Sequence, residues 1–310
     1  MARPKGQKNI TTLIREKKLP REAVDWSKAK RDAYMNTGIS PVAVDVRSDT
    51  EIVEDIRQRF DTYARVVRAS CRGMIRSAII TGSPGIGKTH VAESILQNEA
   101  EFKELKFFHV KGTASAFDLY ELAYKYQHPN SVILLDDTDR VFADEEGMNI
   151  MKALLDTSDD RVVSWMTDHP RFKGEDGLPK SFTFKGSVIF LSNRDFHTEV
   201  EDGRGRFVEH MAALLDRSLY IDLAIHDRRS VGLWVHHLVS RNRILQGMGL
   251  SLENERRALE WLATHRDQLR ELSIRTAKKL GNMILMSQSN DPQIRVNWEI
   301  MASQTLLKKA

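Results

Sequence analysis

Apolar positions change their spacing twice along this chain of 310 residues, and each change marks a different kind of structure. Between Thr50 and Ala69, Ile52, Val53, Ile56, Phe60, Tyr63, Val66 and Val67 recur at i, i+3, i+4 intervals, which predicts one amphipathic helix. From Ser77 the apolar residues gather into short unbroken runs: Ala78-Ile79-Ile80, Phe107-Phe108-His109-Val110, Val132-Ile133-Leu134-Leu135, Val188-Ile189-Phe190-Leu191 and Leu219-Tyr220-Ile221. Runs without polar alternation suit strands covered on both faces. Helical stretches near 89–99, 115–126, 146–156 and 206–216 lie between them. The expected fold class is therefore α/β, a three-layer αβα domain around a parallel five-stranded sheet. Two further β-rich runs, Arg161–Trp165 and Ser181–Phe184, flank a turn-rich segment and predict a hairpin inserted before the fourth strand. After Asp227 strand texture disappears, and helices are expected near 228–246, 252–267, 274–288 and 292–308. Ser251 suits an N-cap and Pro292 a helix start.

Ahead of the first helix, residues 1–48 carry Pro4, Pro20, Gly38 and Pro41 with broken periodicity, and predict an arm and linker. Charge sharpens that division. Ten Lys or Arg between Met1 and Asp32 face four acids, leaving +6 in the arm against +4 for the whole chain. Such an arm suits a nucleic-acid backbone, where basic side chains release counterions, and equally suits a solvated tail. Charged residues at 29% and hydrophobic residues at 41% are ordinary for a soluble globular protein. No apolar run approaches the ~20 residues that span a bilayer, and no apolar block behind the basic N-terminus suggests a signal peptide. Cys71 is the one cysteine, so no internal disulfide forms. That fits a reducing cytoplasm. Cys71 itself reads as a helix-packing residue, and His226, His236 and His237 as ordinary packing or surface histidines rather than metal ligands.

Chemistry concentrates in Gly82-Ser83-Pro84-Gly85-Ile86-Gly87-Lys88-Thr89, a full match to G-x-x-x-x-G-K-[ST], followed by His90. Glycines let backbone N–H groups curl around phosphate oxygens, and the helix that follows turns its positive end toward them. Lys88 is placed for the β- and γ-phosphates and the Thr89 hydroxyl for Mg²⁺. The loop falls between an expected strand and an expected helix, as the motif requires, so ATP or GTP binding is expected. A second element, Val132 to Leu135, is an apolar strand closed by Asp136 and Asp137. The pair resembles the acids that follow such a loop in P-loop NTPases, which implies Asp136 as the partner of Mg²⁺, usually through water, and Asp137 as the group that polarises the attacking water. The usual residue at the second position is Glu. Asp is one methylene shorter, so slow hydrolysis, or a base among Asp139, Glu145 and Glu146, stays open.

With these motifs the chain resembles the AAA+ ATPases over roughly residues 50–310, and is similar to uncharacterised bacteriophage members of that group. Beyond the basic arm and linker (1–48), the resemblance implies a nucleotide-binding domain (49–226) and a helical lid (227–310). Asn193, ending Ser187–Asn193, looks like the sensor 1 residue. Arg217 in Leu214-Leu215-Asp216-Arg217 is similar to the arginine presented to a neighbouring subunit, with Arg204 and Arg206 as alternatives. Arg275, after Leu272-Ser273-Ile274, resembles the sensor 2 arginine of the lid. ATP and Mg²⁺ are the cofactors implied, and a homo-oligomeric ring or spiral, hexameric by expectation, follows from the trans arginine. The inserted hairpin, with His169, Arg171, Phe172, Lys173 and Lys180 against Glu175 and Asp176, resembles the presensor hairpin of members that act on DNA or unfold proteins. No aromatic-hydrophobic-glycine triplet occurs in Lys111–Phe117, and Phe117 and Tyr120 suit a helix face. The substrate expected first is DNA (a motor, helicase loader or replication factor); a protein-remodelling ATPase or a nucleotide switch is the alternative.

Overall fold

Ser77–Thr81 (β1) and Ser187–Leu191 (β6) are buried at every position, and Ser131–Asp136 (β3) at all but its last, as their unbroken apolar runs require. Lys106–Lys111 (β2) and Leu219–Asp222 (β7) keep exposed positions because they form the two edges. All five pair in parallel in the order β2-β3-β6-β1-β7. The strand order reverses beside β1, so the loop leaving β1 opens onto the crevice where doubly wound sheets take their ligands. The structure, a computed structural model, describes residues 47–138, 140–141, 144–167, 172, 177–203 and 208–309. The arm before residue 47, Asp139, the hairpin residues His169, Arg171, Lys173, Glu175 and Asp176, and Arg204 and Arg206 lie outside the described residues.

Helices cover both faces of the sheet. Asp49–Cys71 (α1) buries Ile52, Ile56, Phe60, Tyr63, Val66 and Val67 from its stripe, together with Cys71. With Lys88–Phe102 (α2) it packs on Ala78, Ile80, Leu134, Ile189 and Leu191. Ala116–Lys125 (α3), Glu145–Leu154 (α4) and Val208–Arg217 (α6) cover the other face, against Ile79, Ile133, Leu135, Val188 and Phe190. Phe196–Glu201 (α5), absent from the expected elements, is a short helix capped by the Asp195 side chain on the Thr198 amide. Full burial of each such aliphatic or aromatic side chain stabilises by roughly 1.5–3 kcal/mol, so a sheet covered twice holds its strand ends firmly.

The inserted hairpin is present as Val162–Ser164 (β4) antiparallel to Ser181–Thr183 (β5). Aromatic rings join it to α3. Phe117 meets Trp165 at 5.2 Å and Phe172 at 5.6 Å between centroids, and Tyr120 meets Phe182 at 5.1 Å. Phe117 and Tyr120 are thus buried packing residues on a helix face, as expected.

Four helices follow Asp227: Arg228–Arg241 (α7), Leu252–Thr264 (α8), Ile274–Ser287 (α9) and Trp298–Leu306 (α10). They enclose a core of their own, including Val235, Leu262, Leu280 and Trp298. Ser251 caps α8 as expected, accepting from the Asn254 amide. Two expectations are corrected. The helix near 228–246 ends at Arg241, because Arg243 takes a left-handed φ of 49° that breaks helical geometry. Pro292 opens no helix: Asp291 O accepts from the Ile294 and Arg295 amides in a turn, and α10 starts later, capped by Asn297. By internal contacts Asp49–Ala310 forms one unit, including these helices. Among the described residues no helix is long and apolar enough to cross a membrane.

Candidate active site

Gly82–Gly87 turns β1 into α2, and three glycines take positive φ: 146° at Gly82, 73° at Gly85 and 104° at Gly87. Two of them also need the missing side chain. A Cβ on Gly82 would lie 2.9 Å from Leu223 C, and one on Gly85 would lie 2.5 Å from Ser273 Cβ. The main chain of this loop is gripped from three elements. Tyr63 on α1 donates its hydroxyl to Lys88 O at 2.9 Å, and Trp234 on α7 donates Nε1–H to Ile86 O at 3.1 Å. The Ile274 amide, opening α9, donates to Gly85 O at 3.0 Å. Ile86 is itself a core residue with no exposed surface, so its part in the loop is played by its backbone.

The loop faces an open cleft lined by Pro84, Gly85, Gly87, Lys88, Thr89 and His90. Its opposite wall is Asp136, Asp137, Asn193, Ile274 and Arg275. Four of the residues singled out for catalysis or metal, from three distant stretches of sequence, therefore meet the phosphate-loop motif in one place. Register explains part of it: Asp136, last in β3, pairs with Leu191, last in β6, so Asp137 and Asn193 leave adjacent strands at the same end of the sheet.

A side-chain chain crosses the cleft. Lys88 is only 7% exposed, and its Nζ donates to Gly82 O at 2.6 Å, Ser83 O at 2.9 Å and Asn193 Oδ1 at 2.8 Å. Asn193 Nδ2 then donates to Asp137 Oδ1 at 2.9 Å. Burial pushes the Lys88 ammonium down to about 8; the Asp137 and Asp136 charges pull it up, and Arg275 pushes it further down. Asp137 stands at a φ of 51°, a left-handed conformation that Asp tolerates better than most residues, while its amide still donates to Leu191 O at 3.1 Å.

Arg217 stands elsewhere. It ends α6 just before β7; its carbonyl accepts from Ser77 Oγ at 2.8 Å at the start of β1, the opposite end of that strand from the loop. Its guanidinium donates to Ala213 O at 2.9 Å and lies 3.7 Å from Asp156. Glu146 lines a different cleft, with Thr113, Asp118 and Trp165, while Glu145 is exposed in the first turn of α4. Among the described residues no group of three or more His, Cys, Asp or Glu forms a metal cluster. One contact beside the cleft was not read from the sequence. His109 on β2 lies between Glu93 and Asp136, and no local pattern marks two residues whose meeting depends on strand register.

This arrangement defines a P-loop nucleotide-binding protein of the AAA class. Residues 78–213 match the family described as "ATPase family associated with various cellular activities (AAA)", and the chain belongs to that family. It is 32% identical over 264 residues to an uncharacterised 36.7 kDa protein of the nrdC-mobD intergenic region of Enterobacteria phage T4, covering 84% of this chain and 80% of that one. Among solved structures it is similar to domain III of the replication initiation protein DnaA of Thermotoga maritima, at 15% identity and a TM-score of 0.50, covering 81% of this chain and 92% of that one. It also resembles the RuvB Holliday junction branch migration motor of Thermotoga maritima, at 14% identity and a TM-score of 0.43, covering 81% of this chain and 67% of that one.

Proposed function

We propose that the chain binds Mg²⁺-ATP in this cleft and hydrolyses it. The observation that carries the reading is the convergence of Lys88, Thr89, Asp136, Asp137, Asn193 and Arg275 on one opening. The site fits a triphosphate. Among the described residues the buried Lys88 ammonium donates to neutral oxygens alone, with Asp136 and Asp137 acting on it without direct contact, so a phosphate oxygen would be its first anionic hydrogen-bond partner. Glycine-built turns leave room for close backbone approach. Loop amides, Lys88 and Arg275 would hold phosphate oxygens; Thr89 and Asp136 would hold Mg²⁺, which neutralises charge developing on the phosphates. Asp137 would take the proton of the attacking water, and Asn193, already bonded to Asp137 and Lys88, would keep that carboxylate facing the transferred group. His90 at the rim completes the nucleotide pocket. Phosphate release from ATP, followed with and without Mg²⁺, tests this; a purified, folded chain that neither binds nor turns over ATP would refute it.

Helices α7–α10 act in this reading as a lid, because α9 brings both Ile274 and Arg275 to the loop. Arg217 is proposed to serve the site of a neighbouring copy, since it lies at the far end of β1 from its own loop, and a homo-oligomeric ring or spiral, most simply a hexamer, then follows. DNA is the proposed substrate. The +6 arm supports it, and the replication initiation protein whose fold this chain shares makes it reasonable. Turnover with single-stranded or duplex DNA at low salt, and electron microscopy with a slowly hydrolysed ATP analogue, test substrate and assembly separately. Turnover and assembly unchanged by DNA would favour a protein client instead.

A further inference from the structure

Beside the proposed Mg²⁺ position lies a histidine that the hydrolytic reading leaves unused. β2 carries His109 and Lys111 two positions apart, so both side chains leave the same face of the strand. Strand pairing sets His109 against Leu134 and Lys111 against Asp136. On α2, Glu93 comes one helical turn after Thr89 and therefore lies on the same side of the helix. Glu93 Oε1 is 2.8 Å from His109 Nδ1 and 2.7 Å from Lys111 Nζ. The other ring nitrogen, Nε2, is 3.3 Å from Asp136 Oδ2. The imidazole is 9% exposed and the Asp136 side chain 13%, so neither swings freely into water.

The ring thus bridges the helix that carries Thr89 and the strand that carries Asp136. A carboxylate ending a strand otherwise has several side-chain orientations, and a metal that needs one of them must first order it. We propose that His109, seated between Glu93 and Asp136, is a positioning residue for Mg²⁺: the ring limits the orientations open to Asp136 and ties that carboxylate to the turn bearing Thr89. The inference rests on the ATP reading above and adds to it a support for the metal that lies outside the recognised motifs. Lys111, 64% exposed, steadies Glu93 from the outside and is a weaker member of the same unit.

The test is equilibrium binding of a fluorescent ATP analogue to the full chain, first in EDTA and then across a Mg²⁺ titration. In EDTA, His109→Ala is expected to keep its Kd within about twofold of the unaltered chain, because the ring touches no phosphate-binding residue of the loop; its Mg²⁺ midpoint is expected to rise about tenfold or more, the usual cost of losing such a support. His109→Gln, whose amide reaches about as far as Nε2, is expected to recover most of the midpoint, and Glu93→Gln to raise it less than His109→Ala does. An unchanged midpoint in folded His109→Ala would overturn the proposal. So would equal weakening with and without Mg²⁺, which marks a structural part only. Should His109→Ala not fold, Glu93→Gln is judged by the same two criteria. If the unaltered chain binds no nucleotide in either condition, the ATP reading itself fails; if it binds with Mg²⁺ dependence but the variants share its midpoint, only the role of His109 fails.

Discussion

The two walls of the cleft are built on different principles. The phosphate loop is held by its main chain: Gly85 O, Ile86 O and Lys88 O each receive a donor from a separate element, α9, α7 and α1. The acidic wall is held by side chains in series, Lys88 to Asn193 to Asp137, with His109 against Asp136. A neutral hydrogen bond contributes roughly 0.5–1.5 kcal/mol net, so the loop survives the loss of any one of its three supports. In the acidic wall the side-chain bonds run one after another. One substitution there removes both a chemical group and the partner that aims the next. Scaffold substitutions should therefore change stability, and wall substitutions should change chemistry with little change in stability.

The largest expected effect is on binding. Lys88→Ala removes the one buried cation of the loop, and two charge-assisted phosphate contacts at roughly 1.5 kcal/mol each amount to about a hundredfold loss of ATP affinity. Isothermal titration checks it; affinity within threefold of the unaltered chain would remove Lys88 from the site. Next in size is Asp137→Asn. Loss of a general base costs about 10²–10⁴ in rate, so turnover should fall at least a hundredfold while ATP affinity stays within about threefold. Retained turnover would move the base to another residue.

Gly85→Ala bears on the loop wall, where it strikes the contact with α9. The added methyl meets Ser273 Cβ at 2.5 Å on a residue with φ 73°, and the left-handed conformation alone costs about 1–2 kcal/mol. A lower melting temperature is expected, with recovery of part of the loss in Gly85→Ala/Ser273→Gly, which clears the contact between α9 and the loop. Tyr63→Phe should do less. It removes one donor to Lys88 O, about 1 kcal/mol, and because two grips remain, ATP affinity should change less than threefold. A larger fall would show that the supports are not redundant.

The contrast also explains what the sequence revealed. The loop was legible because a phosphate cradle needs glycine, lysine and hydroxyl at fixed spacing, and the central strands because two-sided burial leaves no polar alternation. Asp136, Asp137 and Asn193 were legible as strand ends, and β1-β6-β3 adjacency then brought them together. The Glu93–His109–Asp136 contact was not, since it depends on register between β2 and β3 and on helix rotation, neither of which leaves a local pattern. α5 was missed for its six residues, too few to show a period; its only signal is the Asp195–Thr198 cap. Pro292 misled because a proline suits a turn as well as a first helical position, and here Asp291 favours the turn through its side chain on the Gln293 amide.

The smallest effect expected concerns pH and belongs to the scaffold wall. His237 on α7 stacks on Trp234, with ring centroids 5.4 Å apart and planes 16° apart, and Trp234 is the residue that holds Ile86 O. Burial holds the His237 imidazolium below the ordinary histidine range, and the charges of Arg241, Arg57 and His236 push the same way, against a weak pull from Glu54. A base whose pKa is lower in the folded chain binds fewer protons there than in the unfolded chain, so its contribution to stability is complete above pH ~6.5 and declines as pH falls toward the folded value. Thermal melting of the nucleotide-free chain should therefore fall between pH 7 and pH 5.5 by more than in His237→Gln, which cannot take up the proton. Equal slopes in the two proteins would show that protonation is absorbed without cost at this partly buried ring. A shallower slope in the unaltered chain would mean that Glu54 outweighs burial and the neighbouring arginines. If the stack does transmit the charge, the same acidification should weaken ATP binding less than it weakens the fold, because Tyr63 and Ile274 keep their own grips on the loop.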